Sequence, residues 1–224
     1  MKIIARIRSD FPEKFGLPRQ SALADKIGAL VVFEKEYRVP EALRGLTGYS
    51  HLWLIWGFHR AERENWSPTV RPPKLGGNER VGVFASRSPF RPNPIGLSCV
   101  KLEEIVETRD AGLALRISGC DMMDGTPIYD IKPYLPYTDC RPEATGGFAA
   151  EHLADGVAVA CDPGILSVVP EDKRPALLCA LGHDPRPGYQ QDQDRVYGFS
   201  YAGFNVRFTV KEGILRVCDI APEK

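Results

Sequence analysis

Three prolines within six residues (Pro89, Pro92 and Pro94) sit in the stretch Ser86-Arg87-Ser88-Pro89-Phe90-Arg91-Pro92-Asn93-Pro94-Ile95-Gly96-Leu97. Each proline locks its own φ and lacks a backbone donor, and each pushes the preceding residue, Ser88, Arg91 or Asn93, towards extended backbone. A helix cannot hold such a run, nor can a central strand. It has to be a rigid loop from which Arg87, Arg91 and Asn93 project as donors. A second stretch, Asp121-Met122-Met123-Asp124-Gly125-Thr126-Pro127, continues through Asp130-Ile131-Lys132-Pro133-Tyr134. It sets carboxylates, a lysine and tyrosines on a similarly stiffened segment. Rigid loops that carry polar side chains are where binding sites concentrate.

The chain has 224 residues, 43% of them hydrophobic and 26% charged. That length holds one large domain or two modest ones and buries a core without disulfide staples. No run approaches the roughly 18 apolar residues of a membrane span. The start, Met1 to Arg8, alternates charged with apolar residues and lacks a signal peptide's hydrophobic block, so a cytoplasmic location is expected. The 6 cysteines include no Cys-x-x-Cys pair and read as buried thiols; with 4 histidines out of ligand spacing, no metal is expected. A net charge of +0 gives no global pull on nucleic acid. A local basic stretch remains at Arg71–Arg80, readable equally as a solvated loop.

Along the chain, strands are expected at Ile3–Arg8, Ala29–Tyr37, Val81–Ala85, Leu97–Val106 and Gly112–Cys120, with Asp110-Ala111-Gly112 as a hairpin turn. The run His51–His59 is nearly all apolar and aromatic, which suits a strand buried on both faces. Pro40–Leu46 reads as a short helical turn. Val157–Cys161 reads as one more strand, and Pro170–Leu181 as a helix stopped by Gly182. Three strands follow near Arg195–Tyr201, Phe204–Lys211 and Ile214–Ile220, split by Ala202-Gly203 and Glu212-Gly213 turns. The fold class expected is mainly β: a barrel over residues 1–150 with a small α+β appendage over 160–224.

No glycine-rich phosphate loop and no Gly-x-Ser-x-Gly elbow occurs. What remains is a cluster of orienting groups: Arg87, Arg91, Asn93, Asp121, Asp124, Tyr129, Asp130, Lys132 and Tyr134. Asp130 and Lys132, two apart, would share one strand face and can simply pair. A third polar loop, Phe15 to Ser21, carries Pro18, Arg19 and Gln20, while His59 and Arg60 end the aromatic strand. A histidine there reads first as a structural residue. If these loops converge, they make one small-molecule site whose chemistry the residues alone leave open. A nucleoside-binding module without turnover and an enzyme acting on a small metabolite both fit.

The motifs resemble the TsaA-like (TrmO) family. They are Pro18-Arg19-Gln20, Ser50 to Trp53, Val70-Arg71-Pro72-Pro73, Gly82 to Ala85 leading to Phe90–Gly96, and Asp124-Gly125-Thr126-Pro127 through Tyr134. Asp184-Pro185-Arg186-Pro187 and Asn205-Val206-Arg207 match its two-domain bacterial branch. The resemblance implies an S-adenosylmethionine-dependent enzyme on a β-barrel, methylating N6 of N6-threonylcarbamoyladenosine in tRNA, as a homodimer with the cofactor near the subunit junction. By motif match, cofactor contacts fall on Pro18, Arg19, Gln20, His59, Arg60, Arg87, Leu97, Asp121, Met122, Met123 and Asp124. For the appendage, Arg186, Tyr189 and Arg207 are the expected tRNA contacts. The acceptor N6 is urea-like and a poor nucleophile until its proton leaves, so a general base is expected, with Asp124 and Asp130 as candidates. Arg91 or Lys132 would hold the threonyl carboxylate, with Asn93 and Tyr134 beside the substrate.

Overall fold

A computed structural model describes residues 1–18, 20–60, 66–72, 75, 79–151, 156–186 and 192–223. The strands of its first part are β1 (Ala5–Arg8), β2 (Gly28–Phe33), β3 (His51–Gly57), β4 (Thr69–Val70), β5 (Val81–Gly82), β6 (Ile95–Thr108), β7 (Gly112–Ser118) and β8 (Pro127–Pro133). Hydrogen bonding closes a barrel in the order β1-β2-β7-β6-β3-β8, with β4 and β5 forming a separate ribbon. Every neighbouring pair in the barrel is antiparallel. Period-2 alternation fills the interior: Ala5 and Ile7 from β1, Val31 and Phe33 from β2, Leu52, Leu54 and Trp56 from β3, Leu115 and Ile117 from β7.

Several expectations need correction. The aromatic strand β3 is not buried on both faces, because a closed barrel has one interior; its burial alternates, with His51, Trp53 and Ile55 half-buried outside. Val81–Ala85 pairs for only two residues before a 3-10 turn at Val83–Ala85 buries Val83 and leaves Phe84 exposed. The strand expected to run to Tyr37 ends at Phe33, and a 3-10 turn follows. Pro127–Pro133, read as a stiffened binding segment, is a barrel strand; Pro127 stands at its first position, where a missing N–H costs little. Of the cysteines only Cys120 is buried, while Cys140 and Cys218 are exposed.

A second sheet comprises β9 (Ala158–Ala160), β10 (Tyr197–Tyr201), β11 (Phe204–Lys211) and β12 (Ile214–Pro222), in the order β10-β11-β12-β9. Its hairpins turn at Ala202-Gly203 (φ 51 and 80) and Glu212-Gly213 (φ 51 and 75). Two successive positive φ values give the turn twist that matches paired strands. The helix Arg174–Gly182 starts with Pro175 in its first turn, after a 3-10 turn at Glu171–Lys173. The segment 9–17 lies against this sheet, with the Phe11 and Tyr201 rings 4.9 Å apart. One hydrophobic core runs from the barrel residues through Phe11 to Phe199, Tyr201 and Phe208.

Candidate active site

The site is built around Asp121, just past the end of β7. Ser98 Oγ donates to Asp121 Oδ1 at 2.6 Å and accepts the indole N–H of Trp56 at 2.9 Å. Strand register makes this possible: Leu54 pairs with Ser98 and Trp56 with Gly96, so Ser98 and Gly96 share the inward face with Trp56. Gly96 is required, because a Cβ there would enter the Trp56 ring. The Trp56 and Phe58 rings lie 4.3 Å apart. On the loop side, Arg87 donates to the side-chain oxygen of Gln20. Burial pushes the Asp121 carboxyl above its ordinary range, against the Ser98 hydrogen bond, a local backbone N–H, the Arg87 charge and a backbone contact from Ser21. Gln20 and Arg87 thus form one hydrogen-bonded pair and Ser98 and Asp121 another, and the Arg87 charge acts on Asp121.

Other expected residues serve the loops themselves. Arg91 Nη1 donates to Val83 O at 3.0 Å and Ser86 O at 2.7 Å, with its guanidinium 5.7 Å from the Phe84 ring centroid. It staples the loop beside Arg87. Asn93 is exposed, and its carbonyl accepts from Ile95 N at 2.8 Å. Asp124 Oδ1 accepts from Ser9 N at 3.0 Å, tying the acidic segment to the end of β1. Met122 is buried and Met123 half-buried. Pro18 is buried, His59 is half-buried, and Arg60 Nη1 donates to Pro12 O at 2.8 Å. Arg19 and Tyr189 lie outside the described residues.

A second group occupies the outer face of the same barrel wall. Ile55 pairs with Leu97 on one side and Asp130 on the other; Trp53 pairs with Cys99 and Lys132. Asp130 and Lys132 form an ion pair at 3.0 Å, and Asp130 Oδ1 also takes Ile131 N at 2.9 Å. Tyr134 lies 5.7 Å from Trp53, whose indole N–H donates to Asp139 at 2.9 Å. Leu97 is 55% exposed here. Within one chain the barrel wall therefore separates Asp130 and Lys132 from Ser98 and Asp121.

In the second sheet, Arg186 forks onto Asp184 through Nε (2.9 Å) and Nη2 (2.8 Å), and its guanidinium sits 5.9 Å from the Tyr197 ring centroid. It braces its own loop. Arg207 on β11 is exposed. Sequence reasoning missed Ser98, Trp56 and Phe58. A serine between apolar residues was the available signal, but only strand register gives it meaning.

Residues 6–140 match the tRNA-methyltransferase O N-terminal domain, and residues 171–223 match the TrmO C-terminal domain. The chain belongs to the TrmO family. It is 39% identical over 229 residues to the tRNA (adenine(37)-N6)-methyltransferase of Escherichia coli (strain K12), covering 98% of this chain and 96% of that protein. It is 38% identical to a putative S-adenosylmethionine-dependent methyltransferase of Pseudomonas aeruginosa, covering 97% and 96%. The mouse tRNA (adenine(37)-N6)-methyltransferase is 39% identical over 73% of this chain but only 38% of its own length. A crystal structure of TrmO from Pseudomonas aeruginosa superposes with a TM-score of 0.78 at 35% identity, covering 98% of this chain and 95% of that one. Among the described residues of this TrmO-family chain, no helix is long and apolar enough to cross a membrane.

Proposed function

We propose that the protein is an S-adenosylmethionine-dependent tRNA methyltransferase that acts on N6 of adenine 37 carrying the threonylcarbamoyl group. The observation that carries this reading is the Gln20–Arg87 and Trp56–Ser98–Asp121 cluster, set in a chain alike over nearly its full length to enzymes of that name. The residues fit the cofactor. A half-buried carboxylate linked through Ser98 to an aromatic pair suits a cationic ligand better than a neutral one. Asp121 would hold its amino or ribose groups, Gln20 and Arg87 its carboxylate end, with Pro18, His59, Arg60, Met122 and Met123 around them, and with Arg19 added by motif match alone. When bound, S-adenosylmethionine supplies a methyl group on a sulfonium for in-line transfer.

The chain's own residues align the acceptor and take its proton. Of the candidate bases, Asp130 has both oxygens engaged, by Ile131 N and Lys132, whereas Asp124 is exposed and bonds Ser9 through Oδ1. Asp124 is therefore the base, and Asp130 orients Lys132. Lys132 holds the threonyl carboxylate, beside Tyr134 and Asn93, while Arg91 shapes the loop. The tRNA body is held by the exposed face of the second sheet, where Arg207 and Arg216 stand, rather than by the engaged Arg186.

The working unit is a cytoplasmic homodimer. Leu97 and Ile95 on β6 are 55% and 38% exposed, and the stacked pair Trp66 and Phe84 are 53% and 73% exposed. Apolar side chains left open in that way support a partner copy. Docking there brings the Leu97–Asp130–Lys132 face of one copy to the cofactor cluster of the other. Mass analysis of tRNA nucleosides from cells lacking the protein tests the function. Loss of one methyl group from the threonylcarbamoylated base is expected; an unchanged nucleoside profile overturns the reading.

A further inference from the structure

Residues 9–17, which lead from β1 towards Gln20 of the cofactor cluster, are held on one side by Met122, Asp124 and Arg60 of the barrel part and on the other by the C-terminal part of the chain. Both oxygens of Asp10 lie 2.6 Å from Lys173 Nζ, and the Asp10 carbonyl accepts from Ala202 N at 2.8 Å. Glu13 Oε1 accepts from Ser200 N at 3.0 Å. The Phe15 ring sits 6.3 Å from Phe199 and 6.5 Å from Phe208. Gly16 has φ +93 and its Cα faces the Phe199 ring so closely that a Cβ would overlap it. Beyond Gln20, Cys179 of the helix Arg174–Gly182 reaches Leu23 O at 3.6 Å. The loop that presents Gln20 to Arg87 is thus held, before it and after it in sequence, by the C-terminal part of the chain.

We propose that Lys173 and Phe199 are positioning residues for cofactor binding: the C-terminal part of the chain sets the path of residues 9–18, and through it the placement of Gln20, as well as carrying RNA. This rests on the assignment of the cofactor to the Gln20–Arg87–Asp121 cluster. The physical reason is preorganisation. A loop ordered before binding loses less conformational freedom on binding, and an apparent affinity falls in proportion to the fraction of molecules with the loop in place.

The test measures S-adenosylhomocysteine affinity by calorimetry without RNA, and steady-state kinetics with tRNA, for Lys173→Ala, Lys173→Arg, Phe199→Leu, Gln20→Ala and Val217→Ala. Val217 is buried in the same sheet and serves as the stability control. Lys173→Ala and Phe199→Leu are expected to raise the Kd and the KM for S-adenosylmethionine about 5-fold or more, with kcat at saturation held within about 2-fold. Lys173→Arg restores the affinity, and Val217→Ala lowers thermal stability without moving the Kd. Unchanged affinity in Lys173→Ala and Phe199→Leu beside a loss in Gln20→Ala overturns the positioning role alone. Unchanged affinity in Gln20→Ala as well overturns the cofactor assignment beneath it, and the positioning role with it.

Discussion

Ser98 spends its single hydroxyl proton on Asp121 Oδ1, at 2.6 Å, while accepting the Trp56 indole N–H at 2.9 Å. The hydroxyl has no second proton to give, so the direction of the Asp121 carboxylate is fixed by a strand neighbour inside the barrel. A half-buried carboxylate oriented in this way before any ligand arrives carries unfavourable desolvation that a cation can relieve.

Asp121→Asn tests that trade. The carboxyl is raised above its ordinary value of 3.8 in the folded chain, chiefly by burial. The folded state therefore holds the proton more tightly than the unfolded state, and stability falls as pH rises from below that value through the folded one. Removing the charge should leave the ligand-free protein at least as stable as wild type near neutral pH, with the difference vanishing in acid. Cofactor affinity should drop about 10-fold or more, since a charge-assisted hydrogen bond is lost. Thermal melts across pH and calorimetry read the two effects separately.

Ser98→Ala removes the acceptor of a buried indole N–H as well as the donor to Asp121. Leaving that group unsatisfied costs about 1–3 kcal/mol. Trp56→Phe in the same background should recover part of the loss, and a double-mutant cycle by urea unfolding measures the coupling. Additive losses would mean the relay carries no shared energy.

Leu97→Asp places a charge on the outer face of β6, where the side chain is 55% exposed in the single chain. Sedimentation should report a shift from dimer to monomer with the fold retained by circular dichroism. Methylation should fall with it if, as in the proposed dimer, the outer face of one copy completes the site of the other. A dimer of undiminished affinity would put the interface elsewhere.

Arg207→Ala should weaken tRNA binding and lower the slope of log affinity against log salt by about 0.7–0.9 for the lost phosphate contact. Affinity for S-adenosylhomocysteine should not change. Arg186→Ala is the contrasting variant: its guanidinium is committed to Asp184, so its loss should lower thermal stability before it touches salt dependence.

Much of the fold could be read directly. Alternation in β1, β6 and β7, and Gly-containing turns in the Tyr197–Pro222 hairpins, are local signals, and local signals survive in sequence. Closure of the barrel was less legible, because β1 meets β8 and β3 meets β6 across long stretches of chain. The strand β8 was masked by its terminal prolines, and the two-sided burial expected of His51–His59 came from an apolar count that ignores which face a barrel wall turns inward. The Asp130–Lys132 pair was visible as i, i+2 spacing. The Ser98–Asp121 bond was not, since it depends on register between β3 and β6 and on the turn after β7.

The decisive measurement is incubation of the purified protein with methyl-labelled S-adenosylmethionine and tRNA bearing threonylcarbamoyladenosine at position 37, followed by mass analysis of the nucleosides. The expected result is one labelled methyl on N6 of that nucleoside, reduced by Asp121→Asn at sub-saturating cofactor and slowed in a single turnover by Asp124→Asn. Bound cofactor with no label in the RNA, or label on another nucleoside, would contradict it.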